Sequence, residues 1–411
     1  MGNFVTYAEQ TLETFDERAF SSVDSLILSW LSYFHYPDET GVRSWDGVPL
    51  TELFRAEYFE QLFHGNWDPS GSRQLLSAMA ASPRFRDLRL MGYTERRDDE
   101  AEKQFAALSF GLPDGSLYVA YRGTDSSFTG WKEDFNMAFQ YPVPAQEEAA
   151  LYLAEAAKHS SGTVRVGGHS KGGNLAVYAA ANSEDSVRDR IAAVYSHDGP
   201  GFLAEVLESP RFAEISSRID KTVPQSSIVG MLLEQQENYR IVRSTRFSVL
   251  QHDPFSWVVE EGDFSSVDSL TSDAKYVDGV VNSWLGKLSP EERERFVDLL
   301  FGLIDTENNE NTDQLFEQWQ KNLPLALHAA QGLDPETKDW GKETPISSRA
   351  WNIFPGNDVY TYFFTNNGSI FGERKDTGAV ENRASARLKC RDSPTEATDL
   401  LILIVLIVRR F

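Results

Sequence analysis

Thr163-Val164-Arg165-Val166-Gly167-Gly168-His169-Ser170-Lys171-Gly172-Gly173-Asn174-Leu175-Ala176-Val177-Tyr178-Ala179-Ala180 decides the reading of this chain. An apolar-leaning run leads into Gly168-His169-Ser170-Lys171-Gly172 and a helix-forming run leads out of it, so the pentad has strand-turn-helix flanks. That is the context of a nucleophile elbow, in which a sharp reversal pushes a serine up in strained backbone geometry. Side chains two positions either side of that serine would collide, and both places, Gly168 and Gly172, are glycine. Gly173 would let the following helix approach the strand closely, and the helix N-terminus would lend partial positive charge to an oxyanion forming above Ser170. Without its flanks, G-x-S-x-G is more often a glycine-rich turn.

A serine nucleophile needs a base to take its proton and an acid to hold that base, in the chain order Ser, Asp/Glu, His for this type of fold. Of seven histidines, His35, His64, His159 and His169 precede Ser170, leaving His197, His252 and His328. His328 sits in an apolar helical run outside the alternating region. His197 leaves little chain for an acid between it and Ser170. His252, in Gln251-His252-Asp253-Pro254, follows the last strand candidate and is the expected base. For the acid, Asp198 ends a strand where sites in parallel sheets gather, with Asp220 as its rival; a turn carboxylate before Gly199-Pro200 is the alternative role for Asp198. The oxyanion needs two donors, the backbone N–H of Lys171 and one from an earlier loop. Tyr121-Arg122-Gly123-Thr124 places Thr124 for the second.

The surrounding pattern supports an α/β fold. The first hundred residues read as helices (Val23 to Tyr33, Pro49 to Phe63, Ser72 to Ala81) with no evident strand. Phe105 to Phe110 and Leu117 to Tyr121, separated by Pro113-Asp114-Gly115, read as a hairpin. Strands at 164–167, 191–195, 228–229 and 239–242 then alternate with helices at 147–158, 173–181 and 202–207, which argues for a mostly parallel sheet covered on both faces. Beyond Trp257 helices take over: Ser289-Pro290-Glu291-Glu292 is a capping box, 305–313 an acidic linker and 314–330 a further helix. The expected domains are a helical part at 1–104 packed on the core, an α/β-hydrolase core at 105–260, a helical extension at 261–345 and an irregular tail at 346–411. Phe20 to Leu26 recurs as Phe264 to Leu270, read as coincidence or a shared cap.

Composition bounds the partners. The chain has 411 residues, 41% hydrophobic and 12% aromatic, enough for an extensive core. Its formal charge of -23, from 62 acidic against 39 basic residues, repels a phosphate backbone and excludes nucleic acid as the expected partner. One cysteine, Cys390, precludes an internal disulfide framework. Met1 to Thr6 has no secretory pattern, and a cytoplasmic location is expected, although those residues match the short M-G-x-x-x-[ST] acylation pattern. Leu400 to Val408 is apolar but far below the roughly 18 residues that span a bilayer, so stable membrane insertion is not expected. No metal or cofactor pattern is present.

Tyr121-Arg122-Gly123-Thr124 with Trp131 and Asp134, followed by Gly167 to Asn174, resembles the arrangement of class 3 lipases. With His197 to Phe202, Val223 to Gly230 and Gln251 to Pro254 added, the chain more closely resembles the Mbeg-like proteins, a largely bacterial α/β-hydrolase group, from about Phe20 to Trp257 and onward to about Leu333. The resemblance implies Ser170 as nucleophile, His252 as base and Thr124 at the oxyanion hole. One departure stands out: class 3 lipases carry their acid in D-P-V-P, whereas the corresponding stretch reads Lys221-Thr222-Val223-Pro224, so both Asp198 and Asp220 stay open. The expectation is a lipase- or esterase-type serine hydrolase acting on a small-molecule or lipid-like ester. A catalytically silent binding module, or a peptidase or thioesterase with the same triad, are the alternatives.

Overall fold

The computed structural model describes residues 2–124, 128–233 and 238–271, isolated positions between 274 and 294, and strand segments between 350 and 389. Its centre is an eight-stranded sheet built from β1 (Val48–Pro49), β2 (Arg89–Asp98), β3 (Lys103–Gly111), β4 (Leu117–Tyr121), β5 (Val164–His169), β6 (Ile191–His197), β7 (Ile219–Pro224) and β8 (Arg240–Val242), lying side by side in chain order. From β1 to β4 the pairings are antiparallel, and from β4 to β8 they are parallel. The parallel half needs a crossover after each strand, and helices supply the longer ones.

The helices are α1 (Phe4–Gln10), α2 (Ser22–Leu31), α3 (Phe59–Leu62), α4 (Pro69–Ala81), α5 (Phe128–Asn136), α6 (Pro144–Ala156), α7 (Lys171–Asn182), α8 (Asp185–Arg188), α9 (Ala204–Leu207) and α10 (Pro210–Ser216). β4 shows why both faces are covered: all of Leu-Tyr-Val-Ala-Tyr is buried. Successive strand side chains point to opposite faces. Tyr118 and Ala120 therefore join the core formed with α1, α2 and α4, while Leu117, Val119 and Tyr121 join the core formed with α6, α7 and α10.

Three local expectations change. β2 lies within the first hundred residues, which had shown no strand: only its first half packs inward, and the exposed Arg96-Arg97-Asp98 end conceals its alternation. The stretch 49–63 is not one helix, because Pro49 pairs in β1 and the chain proceeds through 3₁₀ turns at Leu50–Leu53 and Ala56–Tyr58 to the short α3. The strand expected at 228–229 is the edge of a 3₁₀ turn, Val229–Met231, and the sheet strand there is β7. Phe20 to Leu26 opens α2 with a capping box between Ser21 and Asp24, whereas its second occurrence enters a small hairpin of β9 (Val259–Glu260) and β10 (Asp263–Phe264), so the two share no structure.

The chain divides into two compact units, 1–316 with 407–411, and 317–406. In the second, where an irregular tail was expected, β11 (Ala350–Ile353), β12 (Val359–Phe364), β13 (Ser369–Lys375) and β14 (Leu388–Lys389) form an antiparallel sheet. The acidic linker at 305–313, the helix at 314–330 with His328, Cys390 and the apolar run 400–408 lie outside the described residues, as does the helix from Ser289 beyond its first turn, where Arg293 N–H donates to the Ser289 carbonyl at 3.0 Å. Among the described residues no helix is long and apolar enough to cross a membrane.

One buried charge ties the N-terminal segment to this framework. The Arg84 guanidinium donates to both Asp24 oxygens at 2.8 and 2.7 Å, and to the carbonyls of Glu13, Thr14, Arg18 and Ala19 at 2.9 to 3.2 Å. Both partners are fully buried. Asp24 is also the residue that closes the α2 capping box. Removing one member of such a pair leaves an uncompensated charge and frees four carbonyls. Arg84→Leu is expected to lower stability by about 3 to 5 kcal/mol, read as a shift of the urea midpoint; a shift within 0.5 kcal/mol, about what surface substitutions give, would contradict this account.

Candidate active site

β5 runs into Ser170, whose φ of 59° and ψ of -134° place it in a region that non-glycine residues avoid, and α7 begins at the next residue. The reversal is tight enough that a Cβ on Gly168 would lie 2.2 Å from the backbone carbon of Gly172. Two hydrogen bonds hold the turn: Ser170 N–H donates to the His197 carbonyl at 2.9 Å, and Gly173 N–H to the Ser170 carbonyl at 2.9 Å.

Three side chains from three parts of the sequence meet there. Asp198, at the end of β6, also has a positive φ, 53°. His252 ends the 3₁₀ turn Ser248–His252, and the next turn, Pro254–Ser256, is capped by Asp253, which accepts from Phe255 N–H at 3.0 Å. The Ser170 hydroxyl donates to His252 Nε2 at 2.9 Å, and His252 Nδ1–H donates to Asp198 Oδ2 at 2.6 Å. The other Asp198 oxygen accepts from the Ser227 hydroxyl. Burial deepens along the chain, from Ser170 at 8% exposed through His252 at 4% to Asp198 at 0%.

The rivals sit elsewhere. Asp220 accepts from the Ser22 hydroxyl and lies 3.8 Å from Arg240. His197 is buried among Tyr195, Trp257 and Phe264, with Nε2 at 2.9 Å from Ser25 Oγ. Burial, with Arg240 adding to it, pushes that imidazole down to about 3. Ser227 had no individual signal in the sequence, since a hydroxyl in a turn carries no mark of its partner.

The loop Tyr121 to Thr124 is drawn against the elbow. A Cβ on Gly123 would lie 2.9 Å from Ser170 Cβ and 2.7 Å from the His169 carbonyl, so only glycine permits the approach. The Thr124 hydroxyl donates to Asp134 on α5. Lys171 N–H, the first of α7, has no intrahelical acceptor. The Lys171 side chain turns away and is buried, its ammonium donating to the Gln104 carbonyl and Oε1 at 2.9 and 2.8 Å and to Glu133 at 2.9 Å. Glu133, itself fully buried, also accepts from Gln104 N–H at 3.1 Å and Ala145 N–H at 2.8 Å. One buried ion pair thus joins the start of α7 to α5, the helix that carries Asp134. Among the described residues no group of three or more His, Cys, Asp or Glu is arranged to hold a metal ion.

The family model described as Mbeg1-like matches residues 79–302, more than half of the chain, and the chain belongs to that family. With its mostly parallel, helix-covered sheet and its strand-turn-helix elbow, the fold is α/β-hydrolase-like. No curated protein matches the chain. Solved structures similar to it include M37 lipase, 14% identical over 52% of this chain and 70% of that one, with a TM-score of 0.35. The native Rhizomucor miehei lipase propeptide complex is 18% identical over 51% and 68%, with a TM-score of 0.29. A lipase from Rhizopus microsporus var. chinensis is 14% identical over 64% and 94%, with a TM-score of 0.33.

Lys221 occupies β7 where the D-P-V-P pattern would carry an acid. It is buried, 5% exposed, and pairs in register with Ser196. Burial pulls its ammonium down to about 7, against an opposing pull from the Asp198 charge. The unfolded chain holds this proton up to the ordinary lysine value near 10.4, so between about 7 and 10 the unfolded state binds more protons and stability rises with pH. Wild type is therefore expected to gain stability relative to Lys221→Met when denaturant midpoints are compared at pH 7 and pH 9.5. Parallel pH profiles for the two proteins would exclude the effect.

Proposed function

We propose that this Mbeg1-like protein is a serine hydrolase that cleaves an acyl ester through an acyl-enzyme on Ser170. The observation that carries the reading is the hydrogen-bond chain Ser170–His252–Asp198, at 2.9 and 2.6 Å, set on a strained elbow. Asp198 accepts from Nδ1, which fixes the proton there and leaves Nε2 as a lone pair facing the Ser170 hydroxyl. Ser170 Oγ attacks the acyl carbonyl while Nε2 takes its proton, and Asp198 stabilises the imidazolium. The resulting oxyanion lies between Lys171 N–H and the Thr124 donor. His252 returns the proton to the leaving alcohol; water, deprotonated in turn by His252, then attacks the acyl carbon, and the acid leaves as Ser170 Oγ takes that proton back from His252.

The substrate in this reading is a small or lipid-like ester that enters as a monomer, because a chain of net charge -23 is repelled by anionic lipid faces. A peptidase or thioesterase would use the same steps with a different leaving group. A silent binding module would keep the fold without reactivity.

A fluorophosphonate probe separates the serine hydrolases from the silent module, since it reports an activated serine without knowledge of the substrate. Labelling of wild type and none of Ser170→Ala is expected; a wild type that stays unlabelled would overturn the enzyme reading. With an ester substrate, Asp198→Asn should lower turnover about 10⁴-fold by disturbing the imidazole tautomer, while Asp220→Asn should stay near wild type. Thr124→Gly keeps the backbone N–H but releases the donor loop from Asp134, and should cost up to about 10²-fold by misplacing that donor. Activity of Asp198→Asn at the wild-type level would remove Asp198 from the proposed triad.

A further inference from the structure

Behind the three side chains of the site, a second hydrogen-bond chain links the loops that present them. Gly123 N–H donates to Tyr33 Oη at 3.1 Å. Tyr33 Oη lies 3.1 Å from His169 Nδ1 and 3.3 Å from the His169 carbonyl. On its other side, His169 Nε2 lies 2.9 Å from the carbonyl of His252. The direction of each bond follows from the groups present. A carbonyl only accepts, so His169 Nε2 carries the proton. Burial, reinforced by His252, holds the His169 pKa well below its ordinary value, so the ring is neutral and Nδ1 is an acceptor. The Tyr33 hydroxyl therefore donates to His169 and accepts from Gly123.

Each contact falls beside a working group. Gly123 precedes Thr124, His169 precedes Ser170, and the last acceptor is the backbone of His252 itself. Tyr33 follows the end of α2, where its ring stacks on Trp30 at 4.8 Å. Trp30 is in turn held by an indole hydrogen bond to Ser72 at 3.0 Å and by the Phe255 ring at 5.0 Å. The Tyr33 hydroxyl would be 2.2 Å from a Cβ on Gly123, so the oxyanion loop closes onto it without slack.

We propose that Tyr33 and His169 are positioning residues that set the Gly123-Thr124 loop and the His252 loop at a fixed distance from one another through the elbow. This inference rests on the hydrolase reading of the site. It assigns the N-terminal helical region a part in the chemistry: the hydroxyl that bridges oxyanion loop and elbow comes from the turn that follows α2, not from the sheet. A misplaced reacting group is costly because attack requires near-contact geometry, and small displacements lower the rate while leaving substrate binding in place.

The test compares wild type, Tyr33→Phe, His169→Gln and the double variant, with fluorophosphonate labelling rate, kcat and KM on an ester, and thermal midpoint as readouts. Tyr33→Phe keeps the ring and removes the bridging hydroxyl, and is expected to lower kcat and labelling rate about 10- to 100-fold, with KM and midpoint near wild type. His169→Gln keeps an N–H for the His252 carbonyl and loses the Nδ1 acceptor, and it supplies the same test if Tyr33→Phe does not fold. Because both break one chain, the double variant should be no slower than the worse single variant. Additive losses, or a lower midpoint with kcat unchanged, would overturn the proposal. A labelled wild type with Tyr33→Phe labelled equally fast would overturn it alone, whereas an unlabelled wild type would take the hydrolase reading down with it.

Discussion

Between Gly168 and Gly172 there is no room for a methyl group, and that steric limit sets the geometry of everything above it. The close approach lets β5 turn into α7 within one residue, which forces Ser170 to a positive φ and lifts its side chain clear of both elements. The strain is of the order of 1 to 3 kcal/mol for a residue so placed. It is offset by the packing of α7 against the sheet, where Leu175, Ala176, Ala179 and Ala180 are fully buried. A looser turn would lay the serine along the sheet surface, out of reach of His252.

Buried charge is the second means of keeping the site in place. Lys171 and Glu133 fasten α7 to α5 from within, and α5 holds Thr124 through Asp134. Arg84 and Asp24 fasten the segment before α2, and α2 leads to Tyr33. Buried ion pairs of this kind add little net stability compared with apolar packing, but they tolerate no partial loss, because a charge left without its partner is expensive. Their value here is geometric: each fixes a loop that a hydrophobic contact would allow to slide.

The carboxylate that reaches His252 comes from β6, while β7 presents a buried lysine at the place where the lipase-type acid would stand. Side chains at the carboxyl ends of adjacent parallel strands are close enough that either end can serve one imidazole. Asp198 reaches it because its backbone is held in the left-handed region by its N–H bond to Thr222 at 2.7 Å, and its outer oxygen is tied by Ser227.

Legibility in the sequence followed the range of the underlying interaction. The elbow is local: glycines, serine and flanks all lie within eighteen residues, so sterics alone specify it, and the hairpin of β3 and β4 and the parallel order of β5 and β6 follow from patterns of similar reach. His252 could be singled out because histidine is scarce and chain order restricts it. β2 escaped because half of it is solvated, and β7 because Asp220 and Lys221 interrupt its apolar pattern while Ile228 and Val229 stand together in the turn beside it. The pairing of Asp198 rather than Asp220 with His252 depends on which strand ends and which backbone torsions meet in space, and the Gly123–Tyr33–His169–His252 chain joins residues up to 219 positions apart. By itself, then, the sequence determined where the chain must turn and which serine that turn exposes, since both are short-range steric matters. Only the tertiary structure decided which acid, which hydroxyl and which buried cation stand around it, because those are long-range contacts that no local pattern encodes.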